Sequence, residues 1–391
     1  MKIKEIRTRA VRWRGKTVPL PPHFCTNPMD LLTLGEQASM QTFTFHGWLI
    51  VEIFTDDGHV GIGNAALAPP ITKQVIDLYL KPLLIGADPW NIEFLWQHMY
   101  RKTMAFGRKG VGMAAISAAD IALWDLLGKS AKQPVFRLLG GRTKPRIPVY
   151  ASRLYSIELS ELAAEAKRYK KEGYRAMKLR FGWGPSDGAS GMQQNVELVR
   201  TVRQAVGDGI DVMADAYMGW TLDYAKRMLR LLEPFNLRWL EEPVIPDDIH
   251  GYAELKSHAR IPIAGGEHEF TQYGFRDLLA ARAVDYIQFD TNRVGGISQA
   301  RKISALAESY SVPVIPHAGQ MHNYHVVMAS LNSPMAEYFP IVDVEVGNEL
   351  FWYIFEGEPK AKDGFVDLDD NLPGLGLTVN EKALAKFEVI E

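Results

Sequence analysis

The sequence holds one cysteine, Cys25, in 391 residues, so no disulfide can form within the chain. A reactive thiol needs a tuned setting, and a lone cysteine in a proline-rich stretch reads as incidental. Long hydrophobic runs are also missing: none approaches the ~20 residues that span a bilayer. The opening segment, MKIKEIRTRAVRW, alternates like a strand and lacks the apolar centre of a signal peptide. Charge of either sign is not in excess. A formal net charge of −2 gives no reason to expect nucleic acid or an anionic membrane as partner. The expectation is a soluble, cytoplasmic protein. The dinucleotide-binding fingerprint is absent too: Gly61-Ile62-Gly63 has no third glycine opening a helix and reads as strand-end geometry. No segment is of low complexity.

What is present is an ordinary globular composition, 47% hydrophobic and 23% charged, long enough for two domains. Residues 1–140 read as an α+β domain: IKEIRTRAVRW and WLIVEIFTDDGHVGIG as antiparallel strands, then helical periodicity over 71–104 and 111–139. Between the strands lies a long, irregular loop, 15–46, of the kind that forms a lid or specificity loop. From 145 to 350, β-rich runs alternate with amphipathic ones. The strand candidates are 147–151, 174–180, 210–216, 238–242, 261–266, 284–290, 312–318 and 336–339. Helical segments start near Leu159, Met192, Thr221, Ile249, Thr271, Ile297 and Asn323. Eight such units predict a closed, parallel (β/α) barrel, with a doubly wound open sheet as the competitor. The turn-rich tail, 351–391, is expected to pack back on the N-terminal domain.

Asp215, Glu241 and Glu267 lie at equal 26-residue intervals, each at the end of an apolar run. That interval fits one strand plus one helix, which puts three carboxylates on adjacent strand ends. Such a group needs a compensating cation, and a hard divalent ion, Mg²⁺ first, suits oxygen ligands. Glu241 and Glu242 face opposite ways on a strand, and the spacing favours Glu241 at the mouth. The other strand ends carry Lys178 and Arg180, Asp290, His317 and Glu337. Asp290 and His317 close neighbouring strands, so the carboxylate is placed to support the imidazole as a general base. His268, beside Glu267, is either a substrate contact or a surface histidine.

With these residues in view, the chain resembles the enolase superfamily, in its mandelate racemase-like branch. The resemblance rests on VMADAY, WLEEP, GGEHE, IQFD, IPHA and AEYF in the barrel, and on AAISAADIALWDLLGK and PVFRLLGG in the N-terminal domain. It implies a (β/α)7β barrel capped by the α+β domain. It implies Mg²⁺ on Asp215, Glu241 and Glu267, and His317 supported by Asp290 as the base that removes the proton α to a carboxylate. Glu337 would then help to stabilise the enolate. Racemases of that branch carry a lysine pair, K-x-K, where this chain has Lys178-Leu179-Arg180. Arginine is a poor base and a good anion holder, so dehydration of a small-molecule sugar acid is expected over racemisation or epimerisation of a 2-hydroxy acid. Within the branch, WGPSDGASG and NSPMAEYF resemble the L-rhamnonate dehydratases. That group uses a histidine and an arginine of the N-terminal loop on the substrate. His23 matches the histidine, but no arginine occurs between Arg14 and Arg101. The expected substrate contacts are His23, Lys178, Arg180 and His268, and a homo-oligomer is expected.

Overall fold

The computed structural model describes residues 1–32, 46–344 and 346–390. Residues 33–45 of the expected loop 15–46 therefore lie outside the described residues. The N-terminal domain is built on an antiparallel sheet of β1 (Ile3–Trp13), β2 (Gly47–Thr55) and β3 (Val60–Ala65). The fourth strand of that sheet is Phe387–Ile390 from the far end of the chain, which runs antiparallel to β1 with Trp13 opposite Phe387.

Helix α1 (Val111–Ala131) lies across β3, and the glycine pair explains how closely. A Cβ on Gly61 would stand 2.1 Å from the Ala122 carbonyl oxygen, and one on Gly63 would stand 2.0 Å from that of Ala118. The GxG is therefore a helix-packing feature rather than strand-end geometry. Helix α1 is apolar and long enough to cross a membrane, but 94% of its most apolar window is buried inside the protein. Its two acids explain that placement. Asp120 accepts from the backbone and hydroxyl of Ser298 in the barrel, and Asp125 accepts from Ile62 N and Leu375 N. Buried carboxylates matched to donors in this way belong to a protein interior, not to lipid.

The remainder is the parallel barrel: β4 (Ile147–Leu154), β5 (Ala176–Arg180), β6 (Asp211–Asp215), β7 (Leu240–Glu241), β8 (Ile263–Gly265), β9 (Tyr286–Ile287) and β10 (Ala336–Tyr338), closing from β10 back onto β4. The run at 312–318 takes the place between β9 and β10 but forms only single bridges, Val314 to Ile287 and His317 to Asp290. Pro313 and Pro316 have no N–H to extend the ladder there. The helices begin within two residues of the expected starts except the second, which begins at Gly188 rather than Met192. A turn at Pro185–Asp187, in which Gly184 N donates to Asp187 Oδ2, launches it early.

Candidate active site

Parallel register brings the charged residues together. Arg180 pairs with Asp215, and Asp215 with Glu241, as direct neighbours across β5, β6 and β7. Glu241 pairs with Ala264, so Glu267 stands three residues further on, past the end of β8. Equal spacing in sequence is thus not equal register. The chain reaches Glu267 through Gly266, whose φ of +126° and contact with Phe275, 2.8 Å from any Cβ, admit only glycine without strain. Tyr217, Met218, Glu242 and Ala318 also hold positive φ just beyond strand ends. Backbone held in that region by its surroundings is concentrated at ligand sites.

Lys178 is fully buried beneath the carboxylates. Its ammonium bonds Glu241 and lies 3.0 Å from Glu337 Oε1 and 3.6 Å from Asp215 Oδ2. Burial works against its charge, but Glu241 and Glu337 outweigh this and hold its pKa well above the ordinary lysine value. Glu241 also accepts from Trp239 Nε1 and Gln288 Nε2 at 2.9 and 2.8 Å. Burial still pushes its carboxyl up to about 7; Lys178 opposes this, and Asp215, Glu337 and Glu267 add to it. Glu337 accepts from Ala318 N at 2.8 Å. Its pKa is lowered despite burial, by Lys178, His317 and Arg180.

Above this layer a pocket with about 520 Å³ of empty space, its mouth included, opens between Asp215, Glu267, Arg180, Arg293 and His317. Its outer wall is Cys25, Asn27, Tyr155, Tyr217, Val346 and Asn348. His317 Nδ1 lies 2.9 Å from Asp290 Oδ2, and Nε2 lies 3.2 Å from Glu267 Oε2. Burial lowers the imidazole pKa, but Glu267, Glu337 and the Asp290 hydrogen bond more than reverse this, raising it to about 9. Asp290 is held low by Arg293 and His317 against the burial that would raise it. Arg180 lies over the Tyr155 ring at 4.8 Å and donates to Ser152 at 3.3 Å, while its buried Nη1 has no partner.

His268 is bonded through Nδ1 to Glu242 at 2.7 Å, with Nε2 3.2 Å from Arg293. Glu242, Glu267 and His268 offer ligand atoms within 4.8 Å of one another, a tighter group than the expected trio. In the expected trio, Lys178 stands against Glu241 and Asp215, and Glu267 turns to His317 and Arg293. Two of the trio, Asp215 and Glu267, line the pocket, with Glu241 beneath it; of the tighter group only Glu267 does.

Residues 28–140 match the mandelate racemase / muconate lactonizing enzyme N-terminal domain, and residues 161–383 match the enolase C-terminal domain-like family. The chain belongs to the enolase superfamily, in its mandelate racemase-like branch. An L-rhamnonate dehydratase of Saccharopolyspora erythraea is 36% identical over 352 residues, 88% of this chain and 86% of that one. An arabinonate dehydratase of Saccharolobus solfataricus is 35% identical over 347 residues, 86% of this chain and 89% of that one. The crystal structure of rhamnonate dehydratase from Gibberella zeae complexed with Mg superposes with a TM-score of 0.84 at 34% identity, covering 99% of this chain and 96% of that one.

In this enolase-superfamily site, the structure brings Arg180, Asp215, Glu267 and His317 to the pocket, with Glu241, Glu337 and Lys178 in the layer below and Asp290 behind His317. His23 and His268 are not brought to its lining. His23 stacks on Trp183 and lies 3.1 Å from the Gly182 carbonyl, and His268 is taken by Glu242. Arg293 was missed. It lies three residues beyond Asp290, bonds both Asp290 and Glu267, and is the nearest charge after a strand end already singled out. Cys25 does reach the pocket wall, where burial pushes its thiol up to about 12, which leaves it inert as a nucleophile.

Proposed function

We propose that this protein is a Mg²⁺-dependent acid-sugar dehydratase that converts a sugar acid to its 2-keto-3-deoxy acid. The supporting observation is His317, backed by Asp290 at 2.9 Å and facing the same pocket as Arg180 and two of the three barrel carboxylates. The donor set fits the ion. Asp215, Glu241 and Glu267 offer only oxygen, the donor a hard divalent cation takes. When bound there, Mg²⁺ supplies Lewis acidity to a substrate carboxylate and makes the adjacent C–H more acidic.

The chain's own groups do the rest. Arg180, with a free buried Nη1 and a charge it never loses, holds an anionic oxygen. In its neutral form, the minor one below about pH 9, His317 takes the C2 proton on Nε2 while Asp290 fixes Nδ1. Lys178 and Glu337 stand below the developing enolate charge. His317 then returns its proton to the 3-hydroxyl, the C3–O bond breaks, water departs, and the enol tautomerises to the ketone. Lys178 is held protonated by Glu241 and Glu337, which speaks against a second base and so against racemisation. L-Rhamnonate and arabinonate are the first substrates to test, given the relatives' names. The test is a library of aldonic and aldaric acids with Mg²⁺, assayed for 2-keto-3-deoxy acids. Turnover should vanish with EDTA and in His317→Asn. Turnover that survives His317→Asn refutes the base assignment, and C2–H exchange without loss of water favours the epimerase reading.

A further inference from the structure

The Asp290–His317 pair is tied to the N-terminal domain through a short chain of buried amides. Asp290 Oδ1 accepts from the backbone N–H of Asn292 at 2.7 Å, which leaves Oδ2 for His317 and Arg293. Asn292 follows the strand end on a turn closed by Arg293 N and Val294 N, which both donate to the Asp290 carbonyl, at 2.9 and 2.8 Å. Its side-chain Nδ2 donates to Asn64 Oδ1 at 3.0 Å and to Gln320 Oε1 at 3.3 Å, so both its N–H bonds are used, while its own Oδ1 is buried without a partner. Asn64 lies on β3, next to Gly63, whose contact with α1 holds that strand against the helix. Asn64, Asn292, Gln320 and Asp290 are each at most 4% exposed, so no solvent competes for these bonds.

We propose that Asn64 is a positioning residue for the catalytic base: the N-terminal domain, acting through Asn292, aims Asp290 at His317. This inference rests on the function proposed above. Without the Asn64 acceptor, the Asn292 side chain loses one of its two anchors, the turn that carries its N–H loosens, and Oδ1 is held less firmly, while Arg293 Nε, 3.2 Å away, still holds Oδ2. A purely structural role, holding two domains together, belongs equally to the bond from Gly295 N to Ser117 Oγ at 2.8 Å. That bond crosses the same interface without touching Asp290, and it provides the control.

The experiment compares Asn64→Ala, the milder Asn64→Ser and Ser117→Ala, all in the full-length Mg²⁺-loaded protein. With whichever acid the wild type dehydrates, Asn64→Ala should lower kcat about tenfold, leave KM within twofold, and raise the C2-deuterium isotope effect. Asn64→Ser, which keeps a small acceptor, should recover part of that loss. Ser117→Ala should lower the melting temperature and leave kcat unchanged. A second readout needs no turnover. The His317 Nδ1–H signal in proton–nitrogen NMR, assigned by its loss in His317→Asn, should broaden or shift in Asn64→Ala and stay put in Ser117→Ala. Wild-type kcat and an unmoved imidazole signal in Asn64→Ala overturn the inference, as does an equal loss of kcat in Ser117→Ala. A wild type that dehydrates no acid but shows the NMR response refutes the proposed function and leaves the positioning role standing.

Discussion

Replacing Asp290 by asparagine changes one oxygen to an NH2 group, and the structure fixes which one. Asp290 Oδ1 accepts from Asn292 N at 2.7 Å, while Oδ2 faces Arg293 Nε at 3.2 Å and His317 Nδ1 at 2.9 Å. An asparagine keeps its oxygen toward Asn292, so its NH2 is directed at the arginine and the imidazole. His317 can meet that donor only with a bare Nδ1, which moves its proton to Nε2, the atom that has to accept from the substrate. The imidazole also loses one of the negative groups that raise its pKa to about 9. In a serine-protease triad, where an aspartate orients a histidine in the same way, the same change costs roughly 10⁴ in kcat. A loss of about 10³ to 10⁴, or roughly 4–5 kcal/mol of transition-state stabilisation, is therefore expected here. Steady-state kinetics on the dehydrated acid measures it. Calorimetry should show a melting point within several degrees of wild type, since Arg293 keeps Glu267. A variant with kcat within tenfold of wild type refutes the argument that Asp290 sets the tautomer.

Other outcomes follow from buried groups outside the pocket. Asp125→Ala leaves the buried N–H groups of Ile62 and Leu375 without acceptors and should cost about 2–5 kcal/mol, read as a lower urea midpoint at unchanged slope. Glu358 is buried with one backbone donor, Met321 N, and burial raises its carboxyl to about 8. The folded state therefore keeps a proton that the unfolded chain releases near pH 4.3, so the stability from this group is full below that pH. It falls as pH rises toward 8, by up to about 1.4 kcal/mol per pH unit. Glu358→Gln should flatten the fall of melting temperature between pH 5 and 8, and an unchanged slope refutes the assignment.

The barrel was legible because a strand and a helix repeat at a near-constant interval, and the charged strand ends at Asp215, Glu241 and His317 fall on that interval. Glu267 fell on it too, but for a different reason: it stands past its strand, delivered by a glycine turn. Local pattern cannot distinguish those cases. Asp290 and His317 were readable as a pair because neighbouring strand ends lie side by side, whereas Arg293 occupies a turn with no period to place it. The outer wall was hidden for another reason. Asn27, Tyr155 and Asn348 come from three distant segments, and nothing in any one of them records the other two. The same holds for Gly61 and Gly63, whose purpose appears only when a helix from fifty residues on is laid over them.

The N-terminal sheet takes its last strand from Phe387–Ile390. Translation delivers that strand only after the entire barrel has emerged. Until then β1 offers a bare row of amide donors and acceptors over Ala10–Trp13, an adhesive margin open to any passing extended peptide. Ribosome-bound chains, and chains that have lost this strand, are thus the forms most exposed to aggregation, and pairing with Phe387–Ile390 closes that margin.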